Sequence, residues 1–119
     1  MATQNDLPEE TKKQIAQLQN MQNQIQTLRI QRDANQREFS EIKATLKEIE
    51  NHDDDNELYK SIGPVFFKTT AKKTREEFKD RVELLELKIN SLKKQEERTK
   101  TQLTELNDAI SLQIGRINK

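Results

Sequence analysis

Leu58-Tyr59-Lys60-Ser61-Ile62-Gly63-Pro64-Val65-Phe66-Phe67-Lys68-Thr69-Thr70 is the stretch that decides the architecture of this chain. Two β-prone runs flank a Gly63-Pro64 break, which is the pattern of a β-hairpin. The segment holds the only tyrosine and two of the four phenylalanines. An isolated two-stranded hairpin is marginal in water. Ile62, Val65, Phe66 and Phe67 on free strand edges would also invite aggregation. The hairpin is therefore expected to complete its sheet with other subunits, making the chain an obligate piece of an oligomer.

Working outward, Asn51 to Glu57 (NHDDDNE) is acidic and polar and reads as a loop. Before it, apolar residues step by alternating threes and fours: Leu18, Met21, Ile25, Leu28, polar Arg32 and Asn35, then Phe39, Ile42, Leu46 and Ile49. That phase favours a coiled-coil seam on a first helix over 7–50. Asp6 and Glu9 are spaced as a capping box, with Pro8 tolerated in the first turn. After the hairpin, Thr74-Arg75-Glu76-Glu77 is a second capping-box pattern and opens a second helix over 74–117. Its seam is Phe78, Val82, Leu85, Ile89 and Leu92, polar Glu96 and Thr99, then Leu103, Leu106, Ile110, Gln113 and Ile117. The expected fold is mainly α: a long antiparallel two-helix coiled coil with a β-hairpin between the helices, forming one domain over residues 1–119.

The polar interruptions suggest a register. In an antiparallel pair, facing residues have numbers with a constant sum. A sum of 131 sets Asn35 against Glu96 and Arg32 against Thr99, with Ile42 on Ile89 and Leu28 on Leu103. A sum of 124, one heptad away, sets Asn35 against Ile89 and Arg32 against Leu92. A buried polar group without a partner costs about 1–3 kcal/mol, so the sequence favours 131.

Composition agrees with thin, water-exposed helices. The 119 residues are 35% charged and 31% apolar, with two glycines and two prolines. That is too polar for an ordinary compact core, yet the Leu, Ile, Val and Phe content is too high for disorder. Net charge is zero, so bulk charge gives no affinity for polyanions. The absence of cysteine rules out a disulfide scaffold or thiolate zinc site. No apolar run reaches the roughly 18 residues of a membrane span, and MATQNDLPEETKK lacks the apolar core of a secretory signal. A cytoplasmic address is the expectation.

Catalytic patterns are missing. There is no GxxxxGK[ST], GxGxxG or nucleophile elbow, so no enzyme and no cofactor is expected. His52, the single histidine, lies beside Asp53, Asp54 and Asp55; a solvated turn is a plainer reading than a metal site. Lys68, Lys72, Lys73 and Arg75 form a short basic cluster, read as a solubilising helix entry rather than a nucleic-acid face. Near the open ends, Ile15, Leu112 and Ile114 add apolar surface beside Leu18, Met21 and Ile110. Either the seam widens there, or loosely packed apolar surface is presented to partners.

Taken together, the hairpin around ELYKSIGPVFFKTT between two equal helices, with Gln95-Glu96-Glu97-Arg98 in the second, resembles the beta class of prefoldin subunits over nearly the whole chain. The resemblance implies an ATP-independent co-chaperone: a hexamer of two alpha-class and four beta-class subunits. It implies that Leu58, Tyr59, Ile62, Val65, Phe66 and Phe67 build a β-barrel base. It also implies that Leu7, Ile15, Leu18, Met21, Ile110, Leu112, Ile114 and Ile117 hold unfolded clients before transfer to a group II chaperonin. Neither nucleotide nor metal is implied. The competing reading is a structural coiled-coil adaptor or tether that binds one fixed partner.

Overall fold

A computed structural model of the chain describes residues 7–117. The elements run α1 (Glu9–Ile49), β1 (Glu57–Ile62), β2 (Val65–Thr70) and α2 (Ala71–Ile117). Asp6 of the anticipated first cap lies outside the described residues. Two units are described in turn: one is formed by residues 33–90, the other by residues 7–32 together with 91–117.

In the first unit the two strands pair antiparallel, from Glu57 opposite Thr70 to Ile62 opposite Val65. A two-residue connection joins them. Gly63 has φ of +58°, and among the described residues no non-glycine residue has a positive φ. Glycine at the first central position, followed by proline with its fixed negative φ, matches the type II′ hairpin turn. Directly opposed residues share a face. Leu58, Lys60, Ile62, Val65, Phe67 and Thr69 therefore lie on one side of the ribbon, and Tyr59, Ser61, Phe66 and Lys68 on the other.

The loop from residue 50 to 56 is a hydrogen-bonded hub rather than a solvated spacer. The first amides of a helix have no partner within it, and here the loop supplies them. Ala71 N donates to the Asn56 carbonyl at 2.9 Å and Lys72 N to the Asp54 carbonyl at 3.2 Å. Lys73 N donates to the Thr70 hydroxyl at 3.3 Å. Thr70, not Thr74, is thus the side-chain cap, and the second helix starts three residues before its expected beginning. Arg75 closes the other end of the loop. Its guanidinium donates to the carbonyls of Ile49 (3.0 Å) and His52 (2.9 Å) and is paired with the Asp54 carboxylate. Ile49 is the last residue of α1, and its carbonyl accepts both from the His52 amide at 3.2 Å and from Arg75, so Arg75 adds a charged donor at the helix end. Ala71 is fully enclosed beside this hub.

The core of this unit is Ile49, Ala71, Leu85 and Ile89, all buried. Arg81 makes a forked pair with Glu38, at 2.8 and 3.0 Å. In the second unit the buried residues are Thr11, Ile25, Glu96 and Ile110, and Thr11 donates to the Gln113 side chain at 2.6 Å.

These bonds correct the anticipated register. Thr11 and Gln113 have numbers that add to 124, and Arg29 and Glu96 to 125. A register of 131 would put Gln113 opposite Leu18, about 10 Å along the helix from Thr11. Within residues 33–90 the same holds independently. Arg75 reaches the Ile49 carbonyl, again 124, and Glu38 would lie twelve residues from the position facing Arg81 in the 131 register. Each unit adopts the alignment near 124. The assumed penalty fails because a guanidinium is not confined to its own layer: Arg32 reaches back to Glu96. Asn35 is likewise engaged in a polar interaction.

Candidate interaction surfaces

The hairpin presents the densest exposed apolar surface of the described residues. Phe66 is 69% exposed and Tyr59 68%, on one face; Ile62, Val65 and Phe67 are about half exposed on the other. Leu58 is half-buried. β-branched and aromatic side chains favour the extended backbone, but strict alternation would have left one face polar. Apolar groups on both faces mean that neither side of the ribbon is designed for water. Contiguous exposed apolar patches of this kind mark interaction sites, and among the described residues no further strand pairs with either long edge of the ribbon. Two ion pairs fix the ribbon locally: Lys68 with Glu57 across the strands at 2.8 Å, and Lys60 with Glu77 of α2 at 3.6 Å.

Among residues 7–32 and 91–117, the anticipated client-binding residues fall in different environments. Leu7, Ile15, Leu18, Met21 and Ile114 are half-buried, Ile117 sits at the margin of exposure, and Leu112 is 65% exposed. Ile110 is buried in the seam, so its side chain is committed to holding the two helices together. The heptad phase alone separates the two, with Ile110 on the seam and Leu112 off it; only the family resemblance groups them as client contacts.

The polar layer is also rearranged. Glu96 is buried and accepts from Arg29 Nε at 2.9 Å and from Arg32 Nη1 at 2.6 Å. The Arg29 hydrogen bond holds its carboxyl below the ordinary value of 4.5; burial opposes this, and the charges of Arg32, Arg29 and Lys100 add to the lowering. Thr99 donates to the Gln95 carbonyl of its own helix and takes no part in the triad. Arg29 was missed because it stands one position off the seam, next to Leu28. A long arginine beside a seam residue, facing a lone seam acid, is the signal that could have found it. Three exposed apolar residues off the seam were also missed: Ile30, Leu84 and Leu87.

No helix among the described residues is long and apolar enough to cross a membrane. The acidic loop makes no metal cluster either: none of three or more His, Asp or Glu side chains forms among the described residues. His52 Nδ1 instead bonds the Asn56 side chain at 2.6 Å.

A family model described as prefoldin subunit matches residues 12–116. Prefoldin subunit beta of Methanosarcina acetivorans is 36% identical over 110 residues, covering 92% of this chain and 94% of that protein. Its counterpart in Pyrococcus furiosus is 34% identical, covering 88% and 90%. The crystal structure of the prefoldin beta subunit from Thermococcus strain KS-1 superposes with a TM-score of 0.75 at 36% identity, covering 87% of this chain and 91% of that one. The beta2 subunit of the same strain, at 16% identity and a TM-score of 0.67, shares the fold. With two long helices joined by a hairpin and this degree of likeness along its length, the chain belongs to the prefoldin family, a family of chaperones, among its beta subunits.

Proposed function

We propose that this chain is one of four beta-class subunits in a cytoplasmic prefoldin hexamer with two alpha-class subunits. It acts as a single domain. Its hairpin joins those of its neighbours in a β-barrel base, and the open helix ends hold unfolded proteins for delivery to a group II chaperonin. The observation that carries the reading is the hairpin: apolar on both faces, exposed, and unpaired along both edges. Capture needs no nucleotide chemistry. A non-native client exposes apolar surface whose burial is worth roughly 25 cal/mol per Å². Several weak sites around one cavity add through effective concentration. Leu112 is the most exposed of the candidate contacts, and half-buried Leu7, Ile15, Leu18, Met21 and Ile114 offer a shallow, adaptable border to it. Ile117 extends that border, while Ile110 supports it from the seam.

The test is aggregation of two unrelated denatured clients in the presence of the assembly reconstituted with an alpha-class subunit. Deleting residues 1–14 and 108–119 is expected to abolish protection and leave the hexamer assembled. Full protection by that truncation would refute client holding at the helix ends. Protection of only one client, in a fixed stoichiometric complex, would favour the adaptor reading.

A further inference from the structure

Leu84 and Leu87 are 43% and 68% exposed, although a coiled coil normally places charged or polar residues there. Their neighbours Val82, Leu85 and Ile89 form the seam, so Leu84 and Leu87 stand at outward heptad positions that packing within one chain does not use. Counting back from Leu84 by sevens reaches Glu77, on the same outward strip of α2. Glu77 is the residue that Lys60 of the hairpin contacts at 3.6 Å. Lys60 shares its ribbon face with Ile62, Val65 and Phe67, all exposed. The apolar face of the hairpin and the leucine pair are thereby linked through one ion pair along one side of residues 33–90.

We infer that the subunit interface does not stop at the hairpin but continues along α2 over Leu84 and Leu87, which dock an apolar stripe of the adjoining prefoldin subunit. This rests on the reading of the hairpin as an assembly surface, and extends it from strand pairing to helix packing. Continuity decides the occupant. A neighbour seated on the Ile62, Val65 and Phe67 face lies beside Glu77 and needs to advance two to three helical turns, about 10–15 Å, to cover both leucines. Rigid aliphatic side chains next to a strand interface suit a fixed partner.

The double variant Leu84→Lys/Leu87→Lys, in the full chain reconstituted with an alpha-class subunit, tests this. Native mass measured on dilution should show dissociation at a concentration higher by about tenfold or more, as expected for losing interface anchors, with helical circular dichroism unchanged. An unchanged dissociation midpoint overturns the inference, as does intact assembly with lost protection of clients, which would make the strip a client surface. A second variant guards against misfolding. The chain has no cysteine, so Leu87→Cys carrying a benzophenone label gives a unique photocrosslink. Crosslinks to a neighbouring subunit are expected; crosslinks to client alone would refute the proposal. Phe66→Asp examines the hairpin separately, so a failure of the base and a failure of the helix strip give different results.

Discussion

Residues 33–90 and the pair of segments 7–32 and 91–117 are built from the same helices yet expose apolar surface in different ways. In the former it is concentrated on two strands, where five large side chains are exposed within twelve residues, with Leu84 and Leu87 of α2 as the two further exposed leucines, on a backbone fixed by a tight turn and a hydrogen-bonded loop. In the latter it is spread along helices as half-buried side chains, with Ile30 and Leu112 prominently exposed and far apart in sequence. Concentrated, preorganised surface suits one defined partner, because little ordering remains to be done on binding. Dispersed, partly seated side chains suit many partners, each held weakly.

The sharpest way to break that contrast is to place a charge in the strand patch. Phe66→Asp should abolish assembly with the alpha-class subunit while helical content persists, because the side chain is exposed in the single chain and only an interface would bury it. An unchanged hexamer by native mass would remove the distinction between the two regions.

Next comes alignment. Met21→Cys with Leu103→Cys, numbers adding to 124, should form an intramolecular disulfide, whereas Leu28→Cys with Leu103→Cys should not. Within residues 33–90, Ile42→Cys should cross-link with Val82→Cys and fail with Ile89→Cys. The reverse pattern would restore the register that polar matching favoured. This is also where the sequence was least legible. The seams, the hairpin and its turn could be read directly, because a 3.5-residue period, β-prone runs and a Gly-Pro pair are local signals. Register depended on two things that are not local. One was the loop, where Arg75 and the carbonyls of Asp54 and Asn56 set how the second helix begins. The other was the reach of Arg29 and Arg32 to Glu96 from outside its layer. The same blindness hid Leu84 and Leu87, since an outward leucine looks accidental until the hairpin is placed beside its strip.

A smaller, measurable effect is expected at the hub. Arg75→Ala removes the donor shared by Ile49, His52 and the Asp54 carboxylate. Losing these charge-assisted bonds, of which the one to the Ile49 carbonyl is partly buried and the other two exposed, costs about 1–2 kcal/mol, read as a lower urea midpoint. Arg75→Lys should recover only part, since an ammonium lacks the planar fork that spans several acceptors. Full stability of the alanine variant would mean that the loop holds the second helix through its backbone bonds alone.

The smallest effect tests whether the helical segments 7–32 and 91–117 are adaptable throughout or carry one fixed point. Glu96 titrates below its ordinary value of 4.5 because Arg29 and Arg32 hold the carboxylate. Between the lowered folded value and 4.5 the unfolded chain binds more protons than the folded one, so stability falls as the medium is acidified through that interval. The contribution is complete above the unfolded value. Glu96→Gln keeps the shape but cannot ionise, so the variant should be less stable at neutral pH, and its difference from the parent should shrink as pH drops below 4.5. Two denaturation series, at pH 7 and pH 3, measure it. A difference that stays constant across that range would show that the amide satisfies both guanidinium groups as well as the carboxylate does. The alignment would then be fixed by packing and by Thr11 with Gln113, leaving this pair of segments without an ionic anchor.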